Sequence, residues 1–300
     1  MKVVVYLEWR EKCFRANAAD LAFLRSLLPA RAKVVRVRGD RSFLRELPTA
    51  THVITWHFRP EWYALAPQLE LVATPAAGRE FVAESPIVHF GHFHGGIIAE
   101  TVLAFVLAHC RGLFAKRGRW ERTYLSDRCF TLSGTKAVIV GYGSVGRAIG
   151  SRLSALGVSV RGFTHAETDR LREAWPRALV AELRGADWLI AALPADASTD
   201  DLIGAKFLAK LPRRCALVNV GRGNCVDEHA LYKALKGGRL AAAYLDVIKS
   251  EPSATVLNRP GHERRLFDLS NAFILPHASA FSPDYLRRAF EELKRDGCLG

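Results

Sequence analysis

The chain has 300 residues, 49% of them hydrophobic and 24% charged, with 43 Lys/Arg against 30 Asp/Glu for a net charge of +13. This composition excludes intrinsic disorder and collagen-like repeats, and the length suits one large or two ordinary domains. No apolar run reaches the roughly 20 residues of a membrane span, and the N-terminal apolar run is too short for a secretory signal core. A cytoplasmic protein is therefore expected. The six cysteines are scattered without a C-x-x-C pair and read as reduced packing residues.

The positive charge is uneven: residues 1–50 carry 11 Lys/Arg against 5 Asp/Glu, and residues 101–150 carry 8 against 2. Such a balance permits an anionic substrate, a phosphorylated cofactor or nucleic acid.

In chain order, short apolar runs predict strands at 3–7, 33–37, 52–55, 69–73, 86–88, 136–140, 158–163, 187–191, 215–220, 241–245 and 272–275. Helical patterns between them cover 18–28, 95–112, 143–156, 167–174, 204–210, 227–236 and 282–295. Many of the strands are continuous apolar runs, as a parallel sheet covered on both faces requires. The βαβα rhythm predicts a doubly wound α/β architecture. The polar, basic stretch 116–133 reads as a boundary between two α/β units, and 252–270 reads as a long exposed loop.

The strand 136–140 runs into Gly141-Tyr142-Gly143-Ser144-Val145-Gly146 and then a helix and a further strand. In that setting G-x-G-x-x-G predicts a dinucleotide cradle. Gly141 permits the turn, Gly143 lets backbone approach a pyrophosphate, and Gly146 allows close helix packing. The second strand closes on Thr164 and His165 rather than on an acid, with no acid before Glu167. A carboxylate there would repel a 2′-phosphate, and Arg161 and His165 could attract one, so NADP is preferred to NAD.

Three downstream segments place polar residues just past strand ends, where open parallel sheets bind ligands. The first holds Arg222 between two glycines, and a guanidinium fork suits a carboxylate. The second holds Asp246 and Glu251. The third is Pro276-His277-Ala278-Ser279, and a histidine with a carboxylate partner can work as a general acid/base.

This ordered set resembles the D-isomer-specific 2-hydroxyacid dehydrogenases, including glyoxylate/hydroxypyruvate reductases. The resemblance rests on Gly141 to Gly146, Asn219 to Glu228, Asp246 to Pro252 and Pro276-His277, with Ala77-Gly78 and Ile98-Ala99-Glu100 earlier in the chain. It implies two doubly wound domains: a flavodoxin-like substrate domain, 1–96 completed by 278–300, with an inserted Rossmann NAD(P)-binding domain, 97–277.

For the chemistry, the resemblance implies that Arg222 holds the substrate carboxylate and polarises the 2-oxo group. His277 exchanges the proton, Glu251 orients it, and backbone N–H groups of Ala77 and Gly78 take the carboxylate as well. Asp246 would hold the nicotinamide carboxamide, and Thr164, His165, Pro194, Val220, Gly221 and Ser279 would complete the cofactor contacts. A homodimer is implied, and neither nucleic acid nor a membrane is expected as a partner. The alternative is an NAD(H)-sensing corepressor-like scaffold, for which the net charge would suit and an intact catalytic trio would not be needed. Methyl transfer is the least favoured, because it leaves Arg222, Glu251 and His277 without roles.

Two segments depart from the family pattern. Leu193-Pro194-Ala195-Asp196 lacks the usual Leu-Thr pair after the proline, and the loop 253–265 is longer than usual. The run His89, His92 and His94 has a spacing that could suit a metal, but no metal is assigned to it; a contribution to substrate shape from Phe90, Phe93 or a histidine is favoured over a metal, and the role of the cluster is left open.

Overall fold

The computed structural model describes residues 1–79, 81–114, 122–164, 167, 177–249, 251 and 264–300. These residues form two compact units, Met1–His94 with Phe281–Gly300, and Gly95–Ala280.

In the first unit five strands lie in the order β2-β1-β3-β4-β5. They are β1 (Lys2–Tyr6), β2 (Lys33–Arg36), β3 (His52–Thr55), β4 (Leu71–Thr74) and β5 (Val88–Phe90). Every pairing is parallel, with Val4 opposite both Val35 and Val53. That is the flavodoxin-like strand order. Val4, Phe43, Phe58, Trp62 and Val72 pack into one apolar core.

The C-terminal segment belongs to this unit. Its helix Tyr285–Arg295 buries Tyr285, Leu286, Ala289, Phe290 and Leu293. Glu292, 2% exposed, accepts the backbone N–H of His92 at 2.8 Å, and Arg295 lies 3.3 Å from its other oxygen. The three histidines are drawn into separate contacts that tie this helix down. His89 Nε2 faces Glu292 and Asp296 at 3.9 and 3.8 Å. His94 is buried, stacked on Phe93, with Nε2 2.7 Å from the Tyr285 hydroxyl. No group of three metal-ligating side chains gathers among the described residues.

The second unit holds six parallel strands in the order β11-β10-β9-β8-β6-β7. These are β6 (Lys136–Val140), β7 (Ser159–Phe163), β8 (Trp188–Ala191), β9 (Ala216–Asn219), β10 (Ala242–Leu245) and β11 (Ala272–Ile274). Strands β6, β8, β9 and β10 are buried along almost their whole length, which explains their unbroken apolar runs. Two apolar layers cover the two sheet faces, one around Leu183, Leu189, Phe207 and Leu231, the other around Val102, Ile139, Ile149 and Leu153.

The long helix Gly95–Cys110 lies in the second layer, with Ile98, Ala99, Val102, Phe105 and Val106 buried. Its partner is the helix Ser144–Ala155: a Cβ on Gly95 would stand 3.0 Å from that of Ala148. The polar stretch 116–133 is thus not the boundary between the units. Composition changes there because a buried helix ends, while the unit itself begins at Gly95.

Two further expectations change. Helices form at Asp40–Glu46 and Arg177–Arg184, where none was expected, and Arg264–Phe267 turns the end of the expected loop into a short helix. Leu266, 1% exposed, anchors that turn in the core. The expected helix 167–174 (apart from Glu167) and the loop through 252–263 lie outside the described residues. No helix among the described residues is long and apolar enough to cross a membrane.

Candidate active site

The chain leaves β6 at Gly141, whose φ of +90° is the left-handed conformation that glycine tolerates. A Cβ on Gly141 would lie 2.5 Å from the Ala192 carbonyl oxygen past β8, and one on Gly146 would lie 2.3 Å from the Gly141 carbonyl oxygen. A Cβ on Gly143 would meet nothing within 4 Å, so the middle glycine faces open space. Directly behind it starts the helix Ser144–Ala155, whose first turn has neither a side-chain cap nor an acidic residue. Its leading N–H groups and positive dipole end are therefore available to an anion. The place is also the topological switch point, between β6 and β8, where doubly wound sheets bind nucleotides. The residues thus fit a dinucleotide pyrophosphate.

Tyr142 takes a local role here. Its N–H donates to the Phe163 carbonyl at 2.9 Å, and its ring lies so close to Gly162 that a Cβ there would come within 2.2 Å. Val145 is half-buried against the apolar layer. Thr164 follows β7, and His165 lies outside the described residues. Pro194 follows β8, and its carbonyl accepts the Thr199 hydroxyl at 2.9 Å.

Arg222 sits on the loop after β9. The buried Asn219 fixes that loop from both sides: its Nδ2 donates to the Arg222 carbonyl at 3.1 Å, and its Oδ1 accepts the Gly221 N–H at 3.1 Å. Val220 and Gly221 are buried beneath the turn. Asn219 was visible as a motif member, but its bracing role needs the folded loop.

After β10, Asp246 is 5% exposed. Its Oδ1 accepts the N–H groups of Ala278 and Ser279 at 2.8 and 2.9 Å, and its Oδ2 accepts the Ser279 hydroxyl. The Asp246 carbonyl accepts the His277 N–H at 2.8 Å. Ser279 is anchored from outside as well, because Thr101 Oγ1 donates to its carbonyl at 3.0 Å. Asp246 therefore organises the turn that carries His277.

His277 has φ +52°, one of two non-glycine residues with positive φ among the described residues. Such a conformation is uncommon outside glycine and persists where neighbours over-determine it. Here Asp246 does so. Nδ1 of His277 lies 3.1 Å from Oε2 of Glu251, 26 residues away in sequence. That hydrogen bond raises the imidazole pKa above its ordinary value. Partial burial opposes the rise, the charges of Glu251 and Asp246 support it, and the nearby Arg222 guanidinium pulls the other way. The loops that carry Arg222, Glu251 and His277 follow β9, β10 and β11, which are neighbours in the sheet.

The turn bearing Glu251 is braced by two motif members, Lys249 and Glu228, and by Asp201, which was not singled out in the sequence. Lys249 N–H donates to Glu228 Oε1 at 2.6 Å, and its Nζ is held by both oxygens of Asp201 at 2.9 and 2.7 Å. Asp201 is the other residue with positive φ. In the first unit, Ala77 and Gly78 follow β4. Behind them the Pro75 carbonyl accepts the Tyr285 hydroxyl at 3.2 Å, and the Ala76 carbonyl accepts the Gly91 N–H at 3.0 Å.

The sequence model for "D-isomer specific 2-hydroxyacid dehydrogenase, NAD binding domain" matches residues 103–279. The chain belongs to this family. It is therefore an oxidoreductase with an NAD(P)-binding domain. It is similar to a glycerate dehydrogenase of Methylorubrum extorquens, 28% identical over 76% of this chain and 74% of that protein. In fold it is similar to the NAD complex of a D-isomer specific 2-hydroxyacid dehydrogenase from Lactobacillus delbrueckii ssp. bulgaricus. That match has a TM-score of 0.77 at 19% identity and covers 99% of this chain and 96% of that one. A D-isomer specific 2-hydroxyacid dehydrogenase from Xanthobacter autotrophicus Py2, in complex with NADPH and MES, is 25% identical with a TM-score of 0.74, covering 98% and 93%. These matches support the oxidoreductase reading and not the corepressor-like alternative.

Proposed function

We propose that the protein transfers hydride between NAD(P)H and a small 2-oxoacid, the reverse reaction oxidising the D-2-hydroxyacid. The observation that carries this reading is the 3.1 Å contact between His277 Nδ1 and Glu251 Oε2, made past the ends of β10 and β11, next to the strand β9 that leads to Arg222.

The cradle Gly141, Gly143 and Gly146, with the N-terminus of the helix at Ser144 and Val145, would hold the pyrophosphate. The backbone around Val220 and Gly221, with Pro194, Thr164, His165 and Ser279, would add contacts along the nucleotide. Asp246 spends three acceptor positions on the 278–279 turn, and a carboxylate has about four, so one position remains for a nicotinamide carboxamide. When bound, the reduced nicotinamide supplies the hydride.

The protein's own residues supply position, charge and a proton. Arg222 would pair with the substrate carboxylate through its donor fork and polarise the neighbouring 2-oxo group. Backbone N–H groups of Ala77 and Gly78 would bind the same carboxylate. With Nδ1 turned to Glu251, His277 has Nε2 left to exchange a proton. Its raised pKa favours the imidazolium, the form that protonates the oxygen of the developing alkoxide; in oxidation the neutral ring takes that proton back.

A homodimer is part of this reading. An apolar groove in the second unit, lined by Phe114, Phe267, Phe273 and Leu275, supports a face covered by a second copy. Leu107 and Leu113, on and just after the long helix, are exposed as well.

A spectrophotometric screen of 2-oxoacids with NADH and NADPH tests the activity. Oxidation of either reduced nucleotide by glyoxylate, hydroxypyruvate or a related 2-oxoacid is expected. Absence of turnover across the panel, with nucleotide shown to be bound, would overturn the reading. Sedimentation at micromolar concentration tests the dimer.

A further inference from the structure

After β4 the chain passes from buried Pro75 to exposed Ala77. The peptide groups along this step are held from different directions. The Pro75 carbonyl accepts the Tyr285 hydroxyl at 3.2 Å, and the N–H of the same peptide, on Ala76, donates to Thr74 Oγ1 at 3.2 Å. In the next peptide the Ala76 carbonyl accepts the Gly91 N–H at 3.0 Å. The peptide is trans, so its N–H points opposite to its carbonyl, and the bond to Gly91 turns the Ala77 N–H away from that residue. The approach is close: a Cβ on Gly91 would stand 2.5 Å from the Pro75 carbonyl oxygen.

Tyr285 reaches Pro75 from 210 residues along the chain. It is 4% exposed, and its ring packs among those of Phe14, Trp56 and Phe93, with centroids 4.7, 6.0 and 4.8 Å away. A hydroxyl in apolar surroundings is costly unless it is hydrogen-bonded. This one has a single proton, which it gives to the Pro75 carbonyl. Nε2 of His94, 2.7 Å from the same hydroxyl, is then the protonated nitrogen and donates to it. Burial raises the tyrosine pKa, so the hydroxyl keeps its proton at neutral pH. His94 is itself buried and stacked on Phe93 at 4.1 Å. Hydrogen bonds thus run in one direction from His94 through Tyr285 to Pro75.

We propose that Tyr285, with His94 behind it, is a positioning residue for substrate binding: its hydroxyl fixes the plane of the Pro75–Ala76 peptide and so the aim of the Ala77 and Gly78 N–H groups. The proposal rests on the function given above, in which those two groups bind the carboxylate of the 2-oxoacid.

Packing among three aromatic rings needs no hydroxyl, and a phenylalanine would fill the same space without a polar atom to desolvate. The hydroxyl serves the Pro75 carbonyl. Backbone N–H groups have no rotamers and can be steered only through the peptide planes that contain them. Their hydrogen bonds weaken steeply as the donor angle leaves the linear range, so a turned peptide loosens the hold on a carboxylate.

The test is steady-state kinetics of the purified full chain and of Tyr285→Phe, at saturating reduced nucleotide with the 2-oxoacid varied. It is paired with inhibition by oxamate, an unreactive analogue that carries the same carboxylate. Tyr285→Phe is expected to raise KM about tenfold and the oxamate inhibition constant in parallel, with kcat and the nucleotide dissociation constant within about twofold of the wild type. A hydroxyl that served the core alone would lower the melting temperature and leave both substrate constants in place. His94→Leu removes the donor to the hydroxyl and is expected to raise KM in the same sense. His94→Gln restores an N–H and is expected to bring KM back towards the wild type. A Tyr285→Phe protein with KM and oxamate constants within about twofold of the wild type overturns the proposal, and so does one that loses kcat alone. In both cases the wild type is active and the function above stands. A wild type that reduces no 2-oxoacid brings down that function and this proposal together.

Discussion

Gly223 lies against the peptide of Ile248: a Cβ on Gly223 would fall 2.0 Å from both the carbonyl carbon and the carbonyl oxygen of that residue. The contact joins the loop of Arg222 to the turn that leads to Glu251. Both neighbours of the contact carry proposed catalytic side chains, so an added methyl group should displace one against the other. Because the clash is with backbone, it cannot be relieved by a rotamer change. Gly223→Ala is expected to cost at least the roughly 1–3 kcal/mol of ordinary overpacking and to lower kcat/KM together with the melting temperature. Thermal unfolding and steady-state kinetics on the same preparation check it.

His277 and Glu251 give a pH prediction with a definite sign. The imidazole pKa is raised by the hydrogen bond to Glu251, so the protonated form persists to higher pH than in a free histidine. The rate of 2-oxoacid reduction should fall as pH rises through the raised value. Glu251→Gln removes the charge that supports the imidazolium, and the fall should then begin at lower pH. Stability follows the same direction. The contribution of this pair is fully present below the unfolded histidine pKa and is lost as pH rises through the folded one. Both side chains are about half exposed, so the stability change should be small beside the change in rate. pH–rate profiles and pH-dependent melting of the two proteins separate these effects.

Replacing His277 itself should remove the proton donor without disturbing the sheet. His277→Gln is expected to lower kcat by about 10²–10⁴-fold, the usual contribution of general acid–base catalysis, with nucleotide binding retained. Rapid-mixing kinetics alongside a nucleotide titration check both halves of that statement.

Arg222→Lys keeps the charge and loses the fork. Hydrogen bonds to charged groups contribute about 1.5–3 kcal/mol, so the loss of one corresponds to a tenfold to hundredfold weaker hold on the substrate carboxylate. The effect should appear in kcat/KM for the 2-oxoacid and leave the dissociation constant of the nucleotide within a factor of about two.

Asp246 is expected to matter first for structure. Asp246→Ala leaves the N–H groups of Ala278 and Ser279 without their acceptor in a buried setting, at about 1–3 kcal/mol for each. Asp246→Asn retains one carbonyl oxygen and should recover much of that stability. A melting-temperature series of wild type, Asn and Ala in that order of decreasing stability is the expected result.

The order of strands and helices, the cradle at Gly141–Gly146 and the three polar loops were legible along the chain. They are set by local patterns, such as unbroken apolar runs, glycines at a strand-to-helix turn and polar residues just after a buried strand. A short helix such as Asp40–Glu46 was not legible, because seven residues with one buried side chain, Phe43, give too little periodicity. Tertiary structure alone decided how the loops are spent. It directed the Asp246 carboxylate into the turn at 278–279, put His277 in a left-handed conformation against Glu251, and brought Tyr285 onto Pro75. The apolar patterns act through burial, which needs no particular partner and is therefore written in the local sequence. Hydrogen bonds and ion pairs need a partner at a given distance and direction, and only the folded chain supplies that geometry.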